Sequence, residues 1–112
     1  MEIDLRNGAK WEFPLEMVDD VGPVVMTGRA LEFEIFDRSN TLIGFAATTG
    51  ATGGTLTING STVDVLIPAA VRPALAINGP FLIAYGDLFD ISVAEREWLG
   101  RAEFRILSGP TP

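Results

Sequence analysis

The side chains that most often carry covalent or acid–base chemistry are nearly absent from this sequence. It contains no histidine, no cysteine and a single lysine, Lys10. An activated serine or threonine needs an adjacent base, most often histidine, so a standard triad cannot be assembled. Ser39, Ser61, Ser92 and Ser108 each fall in turn- or loop-forming composition, where a hydroxyl usually bonds the local backbone. Zinc and other metals that prefer nitrogen or sulfur lack their ligands, which leaves only an oxygen-ligand ion such as calcium. Its carboxylates would be Asp19-Asp20, or Asp87 with Asp90, and neither pair has the spacing of a calcium loop. The simpler expectation is that Asp19 and Asp20 shape a turn while Asp87 and Asp90 border a bulge. No catalytic residue, metal or cofactor is expected.

Two further chemistries are conceivable. A glycosidase needs two carboxylates about 5–10 Å apart across a cleft. Glu12, Glu16, Glu32 and Glu34 could supply them only if two outer sheet faces met around a groove. Otherwise such alternating acids form a solvated face. Gly50-Ala51-Thr52-Gly53-Gly54 is glycine-rich, yet it lacks the Gly-Lys-Ser/Thr ending of a phosphate loop and reads as a plain loop.

The totals narrow the function classes. A net charge of −7 with eight scattered basic residues speaks against nucleic acid, which demands clustered lysine and arginine. No apolar run approaches the ~20 residues that span a bilayer. Met1-Glu2-Ile3-Asp4-Leu5-Arg6 has neither a basic start nor an apolar stretch and does not read as a signal peptide. The expectation is synthesis in a cytoplasm, with use there or release by lysis. At 112 residues the chain has the length of one domain and enough core to fold without disulfides.

The elements that must position any site are strands. Trp11, Phe13, Leu15 and Met17 alternate with Glu12, Pro14 and Glu16, the period-two mark of a strand with one buried face. Pro14 cannot donate to a ladder, so the pattern predicts an edge strand. Asp19 to Pro23 then turns. Leu31, Phe33 and Ile35 form the inward side of a second strand, and Asp37-Arg38-Ser39-Asn40 turns it into a hairpin partner over residues 41–47. Thr48 to Gly54 reads as a flexible loop. Asn59-Gly60 predicts a type I′ hairpin with Ile58 opposite Ser61 and Leu56 opposite Val63. That register puts Leu56, Val63, Val65 and Ile67 on one face.

Residues 68–79 permit a turn or two of helix, cut short by Pro73, as a crossover between sheets. Strand character resumes at Phe81, with Phe81, Ile83 and Tyr85 alternating. Gly86-Asp87 suggests a bulge that moves the inward phase to Leu88. Residues 97–106 close the domain with Ala102, Phe104 and Ile106 inward and Arg101, Glu103 and Arg105 outward. The sum is an all-β sandwich of about seven or eight short strands over residues 1–107, with one short helical turn and a tail at 108–112.

Several segments, in order, resemble the small immunoglobulin-like domains of tailed-phage structural proteins, especially the N-terminal domain of upper baseplate proteins. They are Leu5-Arg6-Asn7-Gly8-Ala9-Lys10-Trp11, then Val25-Met26-Thr27-Gly28-Arg29-Ala30-Leu31-Glu32-Phe33, then Gly53-Gly54-Thr55-Leu56-Thr57-Ile58 with Val63 to Pro68. The closing part resembles Tyr85-Gly86-Asp87-Leu88-Phe89 and Leu99-Gly100-Arg101-Ala102-Glu103-Phe104-Arg105-Ile106. Gly86 adds a residue where the family has a direct Tyr-Asp-Leu step, and the helical linker of longer baseplate proteins is missing.

The resemblance implies an immunoglobulin-like antiparallel β-sandwich. It implies a virion component made in a bacterial host's cytoplasm, a tail, baseplate or fibre-attachment protein that acts by assembly. Its partners would be other virion proteins and copies of itself, in a homo-oligomer within the particle, with no nucleic acid and no membrane insertion. Capsid decoration and head–tail connection are roles of similar domains. Assembly predicts an apolar patch involving Phe36, Phe89 or Trp98, and the edge around Pro14 offers backbone groups to a partner. Trp98 with Tyr85 could instead stack on a sugar ring, as in a carbohydrate-binding or adhesin-like module.

Overall fold

The computed structural model describes residues 2–49 and 53–108. Eight strands follow one another: β1 (Glu2–Arg6), β2 (Trp11–Glu16), β3 (Leu31–Asp37), β4 (Leu42–Ala47), β5 (Gly54–Asn59), β6 (Thr62–Ile67), β7 (Phe81–Asp90) and β8 (Glu97–Leu107). They form one sheet in the order β1-β8-β7-β3-β4-β5-β6-β2. The sheet curls on itself, because β1 and β2 are its two edges yet are joined by the short link Asn7–Lys10. Trp11 Nε1 donates to the Arg6 carbonyl across that corner at 2.9 Å. The architecture is all-β and sandwich- or barrel-like. The one helical element among the described residues is a 3-10 turn, Ala69–Val71, placed in the expected crossover.

The resemblance implied antiparallel pairing throughout, but two pairs are parallel. β1 runs parallel to β8, and β4 touches β5 in a short parallel contact of Ala46 with Gly54 and Ala47 with Thr55. Strand β1 was not anticipated, and it enters the sheet only through that long-range pairing. β2 lies at the edge, as Pro14 demanded, with β6 on its other side.

The inward residues of the best-patterned strands close the core. Trp11, Leu31, Phe33, Ile35, Val63, Val65, Ile67, Phe104 and Ile106 are buried. Phe13, Phe33 and Phe104 meet edge-on or tilted, with ring centroids 5.0–6.1 Å apart, a geometry that matches the ring quadrupoles. β2 thereby faces β3 and β8 across the interior.

Two sequence expectations are corrected. The hairpin between β5 and β6 pairs Ile58 with Val63, Leu56 with Val65 and Asn59 with Thr62. Its loop is therefore Gly60-Ser61, with positive φ at Gly60 (65°) and not at Asn59, the signature of a II′ turn. Both registers leave Leu56, Val63, Val65 and Ile67 facing inward, so hydrophobic alternation cannot choose between them. The observed one sets Ile58 against an apolar neighbour.

The second correction concerns β7. Its inward positions are Ala84, Gly86, Leu88 and Asp90, with Leu82 half-buried, an unbroken even-numbered series, while Asp87 is buried from the other face. Gly86 is no bulge. A Cβ there would lie 2.2 Å from Phe33 Cζ and 2.7 Å from Phe104 Cε2, so glycine makes room for the rings of the neighbouring strands. The register irregularity falls between Leu88 and Phe89 instead.

The loop at residues 50–52 and the tail at 109–112 lie outside the described residues. Where the crossover meets the β1–β2 corner, Arg72 packs 3.7 Å over the Trp11 ring and donates to the Ala9 carbonyl. Burial lowers the pKa of this guanidinium.

Candidate functional site

The odd-numbered face of β7, which the core does not use, carries the densest chemistry of the molecule. Cross-strand register places Phe36 beside Tyr85, Glu34 beside Asp87 and Glu32 beside Phe89 on the β3 side. On the β8 side it places Arg101 beside Asp87 and Trp98 beside Phe89. Pleating therefore gathers Phe36, Tyr85, Phe89 and Trp98 on one outer surface. Three of the four residues expected at an interface are brought together here. The fourth, Pro14, stands exposed on the outer side of β2 opposite Asp64 and belongs to a different surface.

Two carboxylates directly opposite each other, Glu34 and Asp87, would repel. Each has its own guanidinium. Arg101 binds Asp87 through both oxygens, Nε to Oδ1 at 2.9 Å and Nη2 to Oδ2 at 3.0 Å, a fork-on-fork geometry. The Trp98 indole N–H donates to the same Oδ1 at 3.0 Å. Arg101 above all holds the Asp87 carboxyl below its ordinary pKa, and Asp87 in turn raises that of Arg101. Arg96, in the loop between β7 and β8, reaches Glu34 at 3.3 Å and Glu32 at 3.7 Å. Its guanidinium also covers the Phe89 ring at 3.8 Å, a cation–π contact.

Between these side chains and the β3–β4 turn lies an open groove of about 510 Å³. Its charged lining is balanced, with Glu34, Asp37 and Asp87 against Arg38, Arg96 and Arg101. The patch expected from sequence is less apolar than anticipated. Trp98 is 59 % exposed, whereas Phe36 and Phe89 are half-buried among charges. What the face offers is one accessible indole held at a fixed angle, aromatic edges, and arginines already oriented by carboxylates.

The other chemical candidates fall apart on geometry. Asp87 and Asp90 point to opposite sides of β7, so they share no ion. Asp90 is buried, accepts from the Ser92 backbone N–H at 2.9 Å and from its hydroxyl, and meets Arg29 at 3.1 Å. The Ser92 bond is the chief reason its pKa is lowered. Asp19 shapes its turn as expected, its Oδ1 accepting from the N–H groups of Val21 and Gly22 at 2.8 and 3.2 Å. Among the described residues no cluster of three or more acids is placed to hold a metal ion.

Glu12 and Glu16 face outward from β2, and Glu32 and Glu34 outward from β3. Because β2 and β3 pack inner face to inner face, the two acid pairs lie on opposite sides of the molecule. Glu16 is engaged by the hydroxyls of Ser61 at 2.7 Å and Thr62 at 2.6 Å, and the Thr62 bond leads in lowering its pKa.

Sequence reasoning missed the Asp87–Arg101–Trp98 network and the stacking of Arg96 on Phe89. A usable signal for the first was the strict alternation of β8 combined with an acid at an odd position of β7. The second depends on a loop folding back and has no local signature. Compared with models of known protein families, the chain matches none, and none of the curated proteins searched matches it.

Proposed function

We propose that the chain is a structural component of a tailed-phage particle, a tail, baseplate or fibre-attachment protein, and that it works by docking the outer face of β3, β7 and β8 against neighbouring virion proteins or copies of itself. It carries no catalytic step in this reading. The observation that carries it is the exposed Trp98, fixed by Asp87 at the border of a charge-balanced aromatic groove. Tryptophan and arginine held in place are the residue types that dominate protein–protein binding energy. A chain of net charge −7 repels its neighbours, and a locally neutral face is where it can approach them at least electrostatic cost. The ordered segments resembling phage immunoglobulin-like domains support the virion setting. Capsid decoration or head–tail connection would use the same face.

One observation favours a second reading, a carbohydrate-binding or adhesin-like module: an exposed indole beside an open groove. Against it, guanidinium groups already cover Phe89 at 3.8 Å and approach Tyr85 at 5.3 Å, leaving little free ring face for a sugar. A hydrolase is the weakest reading, because a general acid needs a raised carboxyl pKa and Asp87 is shifted the other way.

Antibody labelling of purified phage particles, imaged by electron microscopy, tests the proposal. Label at one recurrent position on the particle is the expected result. Unlabelled particles, together with saturable sugar binding lost in Trp98→Ala, would replace assembly by the module.

A further inference from the structure

β8 is paired by β7 along one side, but on its other side the pairing with β1 begins only at Glu103. From Glu97 to Ala102 no described strand pairs with that edge. β2 pairs β6 on one side and leaves its own outer edge open. These two open edges face each other across a crevice of about 240 Å³ lined by Leu15, Met17, Phe33, Leu88, Leu99 and Ala102. Leu15, Met17, Leu99 and Ala102 are partly buried and packed against the core, so the crevice opens onto the hydrophobic interior. It is smaller than the ~300–1,000 Å³ of small-molecule sites and suits one or two apolar side chains. The β8 edge beside it is about 20 Å long at roughly 3.3 Å per residue.

Charge at the rim selects the occupant. Glu16 lines the crevice. Asp19 and Asp20 follow Val18 at its β2 end, and Glu97 and Glu103 bracket the open part of β8. The cation lining it, Arg101, is already matched by Asp87. A second copy of this chain fits poorly: β2, β3 and β6 alternate apolar residues with Glu12 and Glu16, with Glu32 and Glu34, or with Asp64, and β8, which carries Arg101 and Arg105, also carries Glu103 and is already held between β7 and β1 over Glu103–Leu107.

We infer that this seam between β2 and β8 takes up an extended segment of a partner protein in which apolar residues alternate with lysine or arginine. The apolar side chains enter the crevice, the segment's backbone completes the unpaired edge, and its cations meet the acidic rim. The inference deepens the assembly reading, on which it rests for the existence of a partner, and it uses a different surface from the Trp98 face.

The test is a titration of the full, isotopically labelled chain with the capped peptide Val-Lys-Val-Lys-Val-Lys, followed by backbone amide resonances. The expected result is saturable shifts confined to residues 15–18 and 97–102, with amide exchange in those segments slowed at least tenfold. The block peptide Val-Val-Val-Lys-Lys-Lys, the alternating Val-Glu peptide and an alternately N-methylated version should each bind at least tenfold more weakly. Absent shifts, shifts spread over the whole acidic surface, or equal binding of the block peptide would overturn the inference. None of these outcomes bears on particle labelling, so the seam and the virion assignment can fail separately.

Discussion

Strands β3, β7 and β8 present two faces built from alternate residues of the same backbone, and the two solve opposite problems. Inward, Phe33 and Phe104 close over Gly86 with no polar atom among them. On the outward side, Arg96 neutralises Glu34 and Arg101 neutralises Asp87, beneath exposed or half-covered aromatics. The inner face is determined by volume, the outer by charge pairing. The lesson is that core packing and surface charge pairing are separable here at the level of single residues, and substitutions on the two faces should behave differently.

Phe104→Ala should be the most damaging change, costing about 3–5 kcal/mol of stability, read as a shift in the urea midpoint with an unchanged slope. A loss of stability below about 1 kcal/mol would mean the aromatic cluster does not hold the core. Gly86→Ala should follow at about 1–3 kcal/mol, because overpacking forces tightly packed rings to move. A neutral result would remove the argument that this glycine serves the core.

On the outer face, Asp87→Asn should cost about 1 kcal/mol, since Asp87 is nearly buried while its partner Arg101 is half-exposed and screened. The pH dependence has a definite sign. A carboxyl whose folded pKa is lowered stabilises the fold above its unfolded pKa of about 3.9, and that contribution is lost as pH falls through the folded value. The variant should therefore show a flatter acid limb in a pH series of melting temperatures. An acid limb that superimposes on the wild type would show the pair contributes nothing. Trp98→Ala should be mildest for stability, below about 1 kcal/mol in the same urea assay, because most of the indole is in solvent.

How much of this could be read from sequence follows the same division. Trp11, Phe13, Leu31, Phe33 and Ile35 were legible because large apolar residues fell on the buried phase. β7 reverses that rule. Four of its large residues, Phe81, Ile83, Tyr85 and Phe89, take the outer phase, and Ala84 and Gly86 take the inner one between Leu82 and Leu88, because rings from β3 and β8 already fill the space around Gly86. A reading that seeks big apolar side chains inside misplaces Phe81, Ile83 and Tyr85, although it sets Leu88 inward as observed. The gathering of Phe36, Phe89 and Trp98 was anticipated as an aromatic group. Its conversion into a charged groove was not, since Arg96 and Arg101 act through pairings set by tertiary register. The parallel β1–β8 ladder was hidden for the same reason, being a pairing between the two ends of the chain.

The central proposal is that the outer face of β3, β7 and β8 joins this chain to its neighbours while adding little to the stability of its fold. The direct measurement is complementation of a phage lacking this gene with wild-type or Trp98→Ala protein, counting the copies that enter purified particles. The account predicts a folded, soluble variant that is depleted from particles at least tenfold. Incorporation of the variant at the wild-type copy number would contradict it.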